Sequence, residues 1–210
     1  MGILKNGPFG GITGTTGGLT SYWLNGQNVT RVKSGKRSHQ SLKQLANCQE
    51  ISVLNEFFED ICPLLKVGFG NEALGTTKNY HNIATSYNKK NAIKGEYPDL
   101  EMDYPKVLIS RGNLIAPTGV TVEVVTAGLK FNWYTDGWQG GYGLDQVMLL
   151  AFDPESKETA CIAYGAHRYQ GHDILELPDD MKNRPLETYI SFVAIDRTDV
   201  ATSVYTGLIG

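Results

Sequence analysis

Two histidines come first among the side chains able to do chemistry. His167 and His172 share the run His-Arg-Tyr-Gln-Gly-His, with Asp173 next to the second and Cys161 one candidate strand earlier. Zinc usually takes three or four ligands, thiolate or carboxylate among them. His39 and His81 stand far away along the chain, and a pair of histidines in a strand-to-strand connection reads as surface groups, so no metal ligand is assigned. Nucleophilic chemistry fares no better. There is no Gly-x-Ser-x-Gly elbow, and no cysteine stands beside a histidine in a basic setting. The acidic pairs Glu59-Asp60 and Asp179-Asp180 are adjacent and so diverge, while Glu101 and Asp103 lie in a proline-flanked linker. The tract Gly10-Gly-Ile-Thr-Gly-Thr-Thr-Gly-Gly18 could cradle phosphate, but a P-loop needs Lys-Ser/Thr after its last glycine, and Leu19-Thr20 stand there. It reads as a flexible or extended arm. No catalytic residue and no cofactor is assigned, and the chain is read as a non-enzyme.

The stretch Tyr134-Thr-Asp-Gly-Trp-Gln-Gly-Gly-Tyr-Gly-Leu-Asp145 is different, because it sets Tyr134, Trp138 and Tyr142 among glycines. Aromatic side chains on a loop bring large contact area at low entropic cost, and they can stack on sugar rings or fill a partner's pocket. Trp138 folding back to cap its own core is the competing reading, and both stay open.

Two β-prone runs, Leu19-Thr-Ser-Tyr-Trp-Leu24 and Gln27-Asn-Val-Thr-Arg-Val32, flank Asn25-Gly26, a dipeptide suited to a type I′ hairpin turn. A lone hairpin is marginal in water, so Tyr22, Trp23 and Val29 need something to pack on. With the nearby cations Arg31, Lys33 and Arg37 they form the candidate assembly surface. Leu42, Leu45, Ile51, Leu54, Phe57, Phe58, Ile61 and Leu65 recur at helical steps and predict one long amphipathic helix, starting near Ser38 or Ser41 and kinked or broken around Cys62 by Pro63. A second helix is expected from about Thr77 to Ile93, stopped by Gly95 and Pro98.

From Lys106 the texture changes to short β-rich runs between turns. Lys106–Ser110, Gly119–Val125, Leu129–Tyr134, Gln146–Phe152, Thr159–Tyr164, Asp173–Leu177, Glu187–Ile195 and Ser203–Leu208 are the expected strands. Such spacing indicates a sandwich or barrel. The expected division is therefore residues 1–105, an arm, hairpin and helices, and residues 106–210, a β-sandwich.

The 210 residues carry a net charge of −3, unevenly spread. Residues 1–49 hold six basic side chains and no acid, leaving thirteen basic and twenty-two acidic ones in the remainder. A basic end suits an acidic neighbour, including the body of another copy, or nucleic acid, which ranks last with only four clustered charges. Cys48, Cys62 and Cys161 form no paired motif and read as buried reduced thiols. No signal-peptide pattern and no membrane-spanning apolar run is present, so the expectation is cytoplasmic synthesis without membrane insertion.

Trp133, Leu175-Glu-Leu-Pro178 and Tyr189 give the second half a resemblance to the fibronectin type III pattern, in which a large aromatic centres the core and a tyrosine hydroxyl pins a corner. Over the whole chain, Met1-Gly-Ile-Leu-Lys-Asn-Gly, Gly-Gly-Ile-Thr-Gly, Asn25-Gly-Gln-Asn-Val-Thr-Arg31, Gln44-Leu-Ala, Ser86-Tyr-Asn-x-x-Asn-Ala-Ile93 and Tyr97-Pro-Asp-Leu-x-x-Asp-Tyr104 resemble a family of uncharacterised Bacteroidota proteins, a domain of unknown function. The fold class expected is α+β: an α-helical N-terminal region with a β-hairpin and Gly-rich arm, then an all-β fibronectin-type-III-like sandwich. The function expected is structural, a protein that self-associates through its N-terminal arm and hairpin into a filament, shell or virion-like particle, with its own copies or other structural subunits as partners. The second reading is a carbohydrate- or surface-ligand-binding module with a glycan as partner.

Overall fold

The structure is a computed structural model that describes residues 2–4, 10–24, 26–35, 39–135 and 142–210. It divides into two compact units, Met1–Leu42 and Lys43–Gly210. The change of texture at residue 106 falls within the second unit, where the helices share one hydrophobic cluster with later strands.

In the first unit, β1 (Gly2–Leu4), β2 (Gly14–Thr16), β3 (Leu19–Leu24) and β4 (Gln27–Val32) form an antiparallel sheet in the order β1-β4-β3-β2. The expected hairpin is present, paired from Leu19↔Val32 to Leu24↔Gln27. It is not alone, however. Part of the glycine tract, expected as a flexible or extended arm, is strand β2, turned back onto β3 through Gly17, whose φ of 58° suits a residue without a Cβ. Asn28 stitches in the segment before it, donating through Nδ2 to Ile12 O (2.8 Å) and accepting from Ile12 N (3.3 Å).

The second unit opens with α1 (Leu42–Phe58), α2 (Cys62–Ala73) and α3 (Tyr80–Asn91). The helix expected to kink or break around Cys62 breaks there, into two helices. Pro63 stands in the first turn of α2, where its missing N–H is one the helix leaves unpaired anyway, so it starts a helix instead of bending one. Asn79 caps α3 by accepting from Asn82 N at 2.7 Å. The short hairpin of β5 (Ile93–Lys94) and β6 (Glu101–Met102) follows, and then a segment without a strand where Lys106–Ser110 was expected to form one. That segment is held instead by side chains. Asn88 of α3 pairs with Leu108 as a strand would, accepting from its N (2.8 Å) and donating to its O (2.9 Å). Ser203 Oγ accepts from Ile109 N at 3.0 Å, and Ser110 Oγ donates to Ser191 Oγ at 2.7 Å.

The remaining strands are β7 (Thr121–Val125), β8 (Gly128–Asn132), β9 (Gln146–Phe152), β10 (Thr159–Ile162), β11 (His172–Glu176), β12 (Leu186–Val193) and β13 (Val204–Ile209). They make two antiparallel sheets, β11-β8-β7 and β10-β9-β12-β13. Alternation assigns the faces of the larger sheet. Val147, Leu149, Ala151, Ile190 and Phe192 join Leu129, Phe131, Trp133 and Leu175 of the smaller sheet in one core. Met148, Leu150, Phe152, Tyr189 and Val193 join Leu54, Phe57, Phe58, Leu64 and Phe69 of α1 and α2 in another. The second unit is thus three layers, helices on a four-stranded sheet on a three-stranded sheet. β12 is buried along its whole length because it lies in the middle layer. Tyr189, expected to pin a sandwich corner, points to the helical side and donates its hydroxyl to Tyr104 O at 2.9 Å. Asp153, at the end of β9, caps the turn into β10: Oδ1 accepts from Glu155 N and Oδ2 from Ser156 Oγ, each at 2.8 Å, and from Arg184 at 2.9 Å. Those donors outweigh burial and bring its carboxyl down to about 2.

Candidate functional site

Two surfaces carry the residues singled out from the sequence. On the N-terminal sheet, the register places Leu19, Ser21, Trp23, Asn28, Thr30 and Val32 on one face and Thr20, Tyr22, Leu24, Gln27, Val29 and Arg31 on the other. The second face keeps its interactions local. The Arg31 guanidinium lies 5.5 Å from the Tyr22 ring centre, and Val29 is the one apolar side chain of this unit that is buried among the described residues. The first face is covered only in part: Ser21 and Asn28 are buried under the segment at Gly11 and Ile12, while Trp23 is 56% exposed and Val32 74%, with Leu19 and Ile12 about half exposed. The Trp23 indole packs on Gly11, where any Cβ would overlap the ring. Lys33 is exposed, and neither it nor Arg31 has an ion pair among the described residues. Arg37 lies outside the described residues. The sheet's edges are β1 and β2, and β2 is exposed throughout.

The second surface is the end of the sandwich where β8 runs out. Trp133 is buried there, donating through Nε1 to Arg168 O at 2.8 Å and meeting Phe192 edge-on at 5.5 Å. Arg168 is buried as well. Its guanidinium stacks over Phe192 at 3.8 Å, donates to Ile115 O at 2.7 Å and pairs with the buried Asp145 at 3.2 Å. Burial pushes the Asp145 carboxyl up and the Arg168 guanidinium down, each opposed by the partner's charge. Sequence reasoning passed over this pair, since twenty-three residues separate its members and neither stands in a motif.

Above this buried base are exposed rings. Tyr134 is exposed and packs on Gly119, whose φ of 58° and lack of a Cβ let the ring lie against the backbone. His167 stacks parallel to the exposed Tyr169 (5.6 Å, 13°) and donates through Nδ1 to Leu144 O at 2.8 Å. Arg197 lies 3.8 Å over the exposed Tyr164. Tyr142 opens a short 3-10 turn ending at Leu144, and Trp138 lies outside the described residues. The segments that carry Tyr134 and the His167–Tyr169 stack meet at this end, where Trp133 N donates to Gly171 O at 2.9 Å; the sequence had weighed His167 with His172, Asp173 and Cys161 as a weak metal group. Those candidates disperse: His172 Nδ1 meets Gln170 O, and Asp173 Oδ2 accepts from Ala166 N at 2.7 Å. No group of three potential metal ligands occurs among the described residues. The cysteines, expected to be buried, are exposed at Cys48 and Cys161 and half-buried at Cys62, all as free thiols. No helix among the described residues is long and apolar enough to cross a membrane.

A family model described as a family of unknown function (DUF6266) matches residues 10–207. Neither the curated proteins nor the solved structures contain a match.

Proposed function

The chain belongs to this family of unknown function, DUF6266, and from that premise we propose that it is a non-enzymatic structural protein that self-associates through its N-terminal unit. One observation carries the reading: among the described residues the four-stranded sheet buries a single apolar side chain, while Trp23, Val32 and Leu19 on one face, and Ile12 nearby, are about half exposed or more. A sheet gains independent stability by burying one face, and covering a large apolar side chain is worth roughly 1.5–3 kcal/mol. Charge supports a copy of the same chain as the cover. The first 42 residues hold five basic side chains and no acid, and the rest hold fourteen basic against twenty-two acidic. Contact between the basic unit of one copy and the acidic body of the next is head-to-tail, the kind that propagates into a ring, shell or filament. The exposed edge strand β2 offers a further route by strand addition. Sedimentation of the full chain over a wide concentration range is expected to show growing oligomers. Trp23→Glu with Val32→Glu, or removal of residues 1–33, should return a monomer. A wild-type chain that stays monomeric throughout overturns the reading.

The strand orders β11-β8-β7 and β10-β9-β12-β13, with Trp133 buried between the sheets, support a fibronectin type III-like identity for the sandwich layers. The Bacteroidota as host group and an assembled particle as final location rest on the sequence resemblance and the assembly reading alone.

A second reading, a glycan-binding module, is favoured by the exposed rings of Tyr134 and Tyr169, the latter stacked on the half-buried His167. It predicts glycan-array signals that Tyr134→Ala and Tyr169→Ala abolish without changing the oligomer. An array blank for the wild type removes it.

A further inference from the structure

Glu187 is the one charged residue of β12, and it is 8% exposed in the middle layer of the fold. One of its oxygens, Oε2, accepts from the Tyr205 hydroxyl. No partner for the other occurs among the described residues. Glu187 lines a cavity of about 460 Å³, walled by the rings of Phe57, Tyr104 and Phe152. These rings pack on one another edge-on or tilted, at centroid distances of 4.7 Å (Phe57–Phe152), 5.8 Å (Tyr104–Phe152) and 6.3 Å (Phe57–Tyr104). Four exposed charges complete the lining, and they pair off: Lys94 with Glu101 at 3.5 Å and Lys157 with Glu56 at 3.8 Å. The pairs cancel, which leaves Glu187 as the unmatched charge. The Tyr104 hydroxyl is pushed up to about 12, first by burial and then by Glu187, Glu56 and Glu101.

An acceptor for Tyr205 does not require a carboxylate, because a glutamine would serve. Burying an acid costs free energy unless a charge or strong donors meet it, and Glu187 has one neutral donor. A carboxylate oxygen turned toward a cavity with aromatic walls is the arrangement that holds an organic cation, charge to charge with the stem on the rings. We propose that this cavity binds a primary alkylammonium group, its nitrogen on the free oxygen of Glu187 and its alkyl stem against Phe57, Tyr104 and Phe152.

Calorimetric titration of the full chain with n-butylammonium is expected to show saturable binding, with n-butanol, the neutral isostere, at least about tenfold weaker. Glu187→Gln keeps an acceptor for Tyr205 and should weaken n-butylammonium by at least the same factor. Absence of saturable binding, or an alcohol that binds as well as the ammonium, overturns the site. So does a folded Glu187→Gln variant that binds the ammonium like the wild type. Should that variant fail to melt cooperatively, the wild-type comparison of ammonium with alcohol decides alone. Self-association does not enter either readout, so the assembly reading and this one fail separately.

Discussion

The Arg168→Met variant is expected to unfold about 3–5 kcal/mol more easily than the wild type, because it leaves the Asp145 carboxyl buried with no opposing charge. The guanidinium does three things at once. It pairs with Asp145, satisfies Ile115 O, and covers the ring of Phe192 on the sandwich side of β12. Methionine replaces the packing and neither of the polar roles. The loss has a pH signature. Burial already raises the Asp145 carboxyl, and removing Arg168 raises it further. A folded-state value above the unfolded one favours the protonated protein, so that contribution is fully present below the ordinary aspartate value and is lost as pH rises through the raised one. The deficit of Arg168→Met should therefore be largest near neutrality and shrink on acidification. Denaturant titrations at several pH values measure it. Adding Asp145→Leu should recover most of the loss, since an apolar pair of similar volume is often as stable as a buried ion pair. A single variant no less stable than the wild type at neutral pH would show that the pair contributes nothing to holding this end together.

Gly68→Ala is expected to destabilise by roughly 1–3 kcal/mol, the cost of overpacking a close contact, although helix propensity alone predicts a gain of up to about 1 kcal/mol. The α2 backbone at Gly68 lies directly on the chain at residues 109 and 110. A Cβ there would overlap Ile109 O and stand 2.8 Å from the Ser110 Cα. That chain has little freedom to retreat. Asn88 binds it on one side of the contact, Ser203 binds it within, and Arg111 N donates to Gly68 O at 3.1 Å. At Gly70, two residues along the same helix, a methyl group would meet nothing within 4 Å, so Gly70→Ala should follow propensity and stabilise. Urea midpoints of the two variants carry opposite signs if the contact is as described. Equal, positive shifts would mean that α2 does not approach the segment so closely.

The contrast between these glycines shows where reading the chain succeeded and where it stopped. Local patterns placed the hairpin around Asn25-Gly26, the helical stretches, and seven of the eight expected strands, because turn chemistry and side-chain periodicity are written in neighbouring residues. The eighth, Lys106–Ser110, has strand-like composition but pairs with the side chains of Asn88 and Ser203, a substitution no local window contains. One available signal was missed: Val147-Met-Leu-Leu-Ala-Phe152 is apolar on both faces, the mark of a strand covered twice, where a two-layer sandwich calls for alternation. Read that way, it would have brought the helices onto the sheet. The aromatic surface was half legible, since Tyr134 was picked out for stacking while His167 was weighed only as a metal ligand and Tyr169 was not singled out.

By itself, the order of residues determined the kinds of element, their approximate limits, the acid-free start of the chain and the lack of a catalytic motif. All of these depend on backbone preferences and on sums over the sequence. Only the tertiary structure decided which faces are shared: that β12 is buried on both sides, that Arg168 meets Asp145, and that Glu187 opens into a ring-walled cavity while Trp23 stands uncovered. The physical reason is that burial and charge pairing act through space. Their energies depend on distances between residues tens of positions apart, and those distances exist only once the layers have packed.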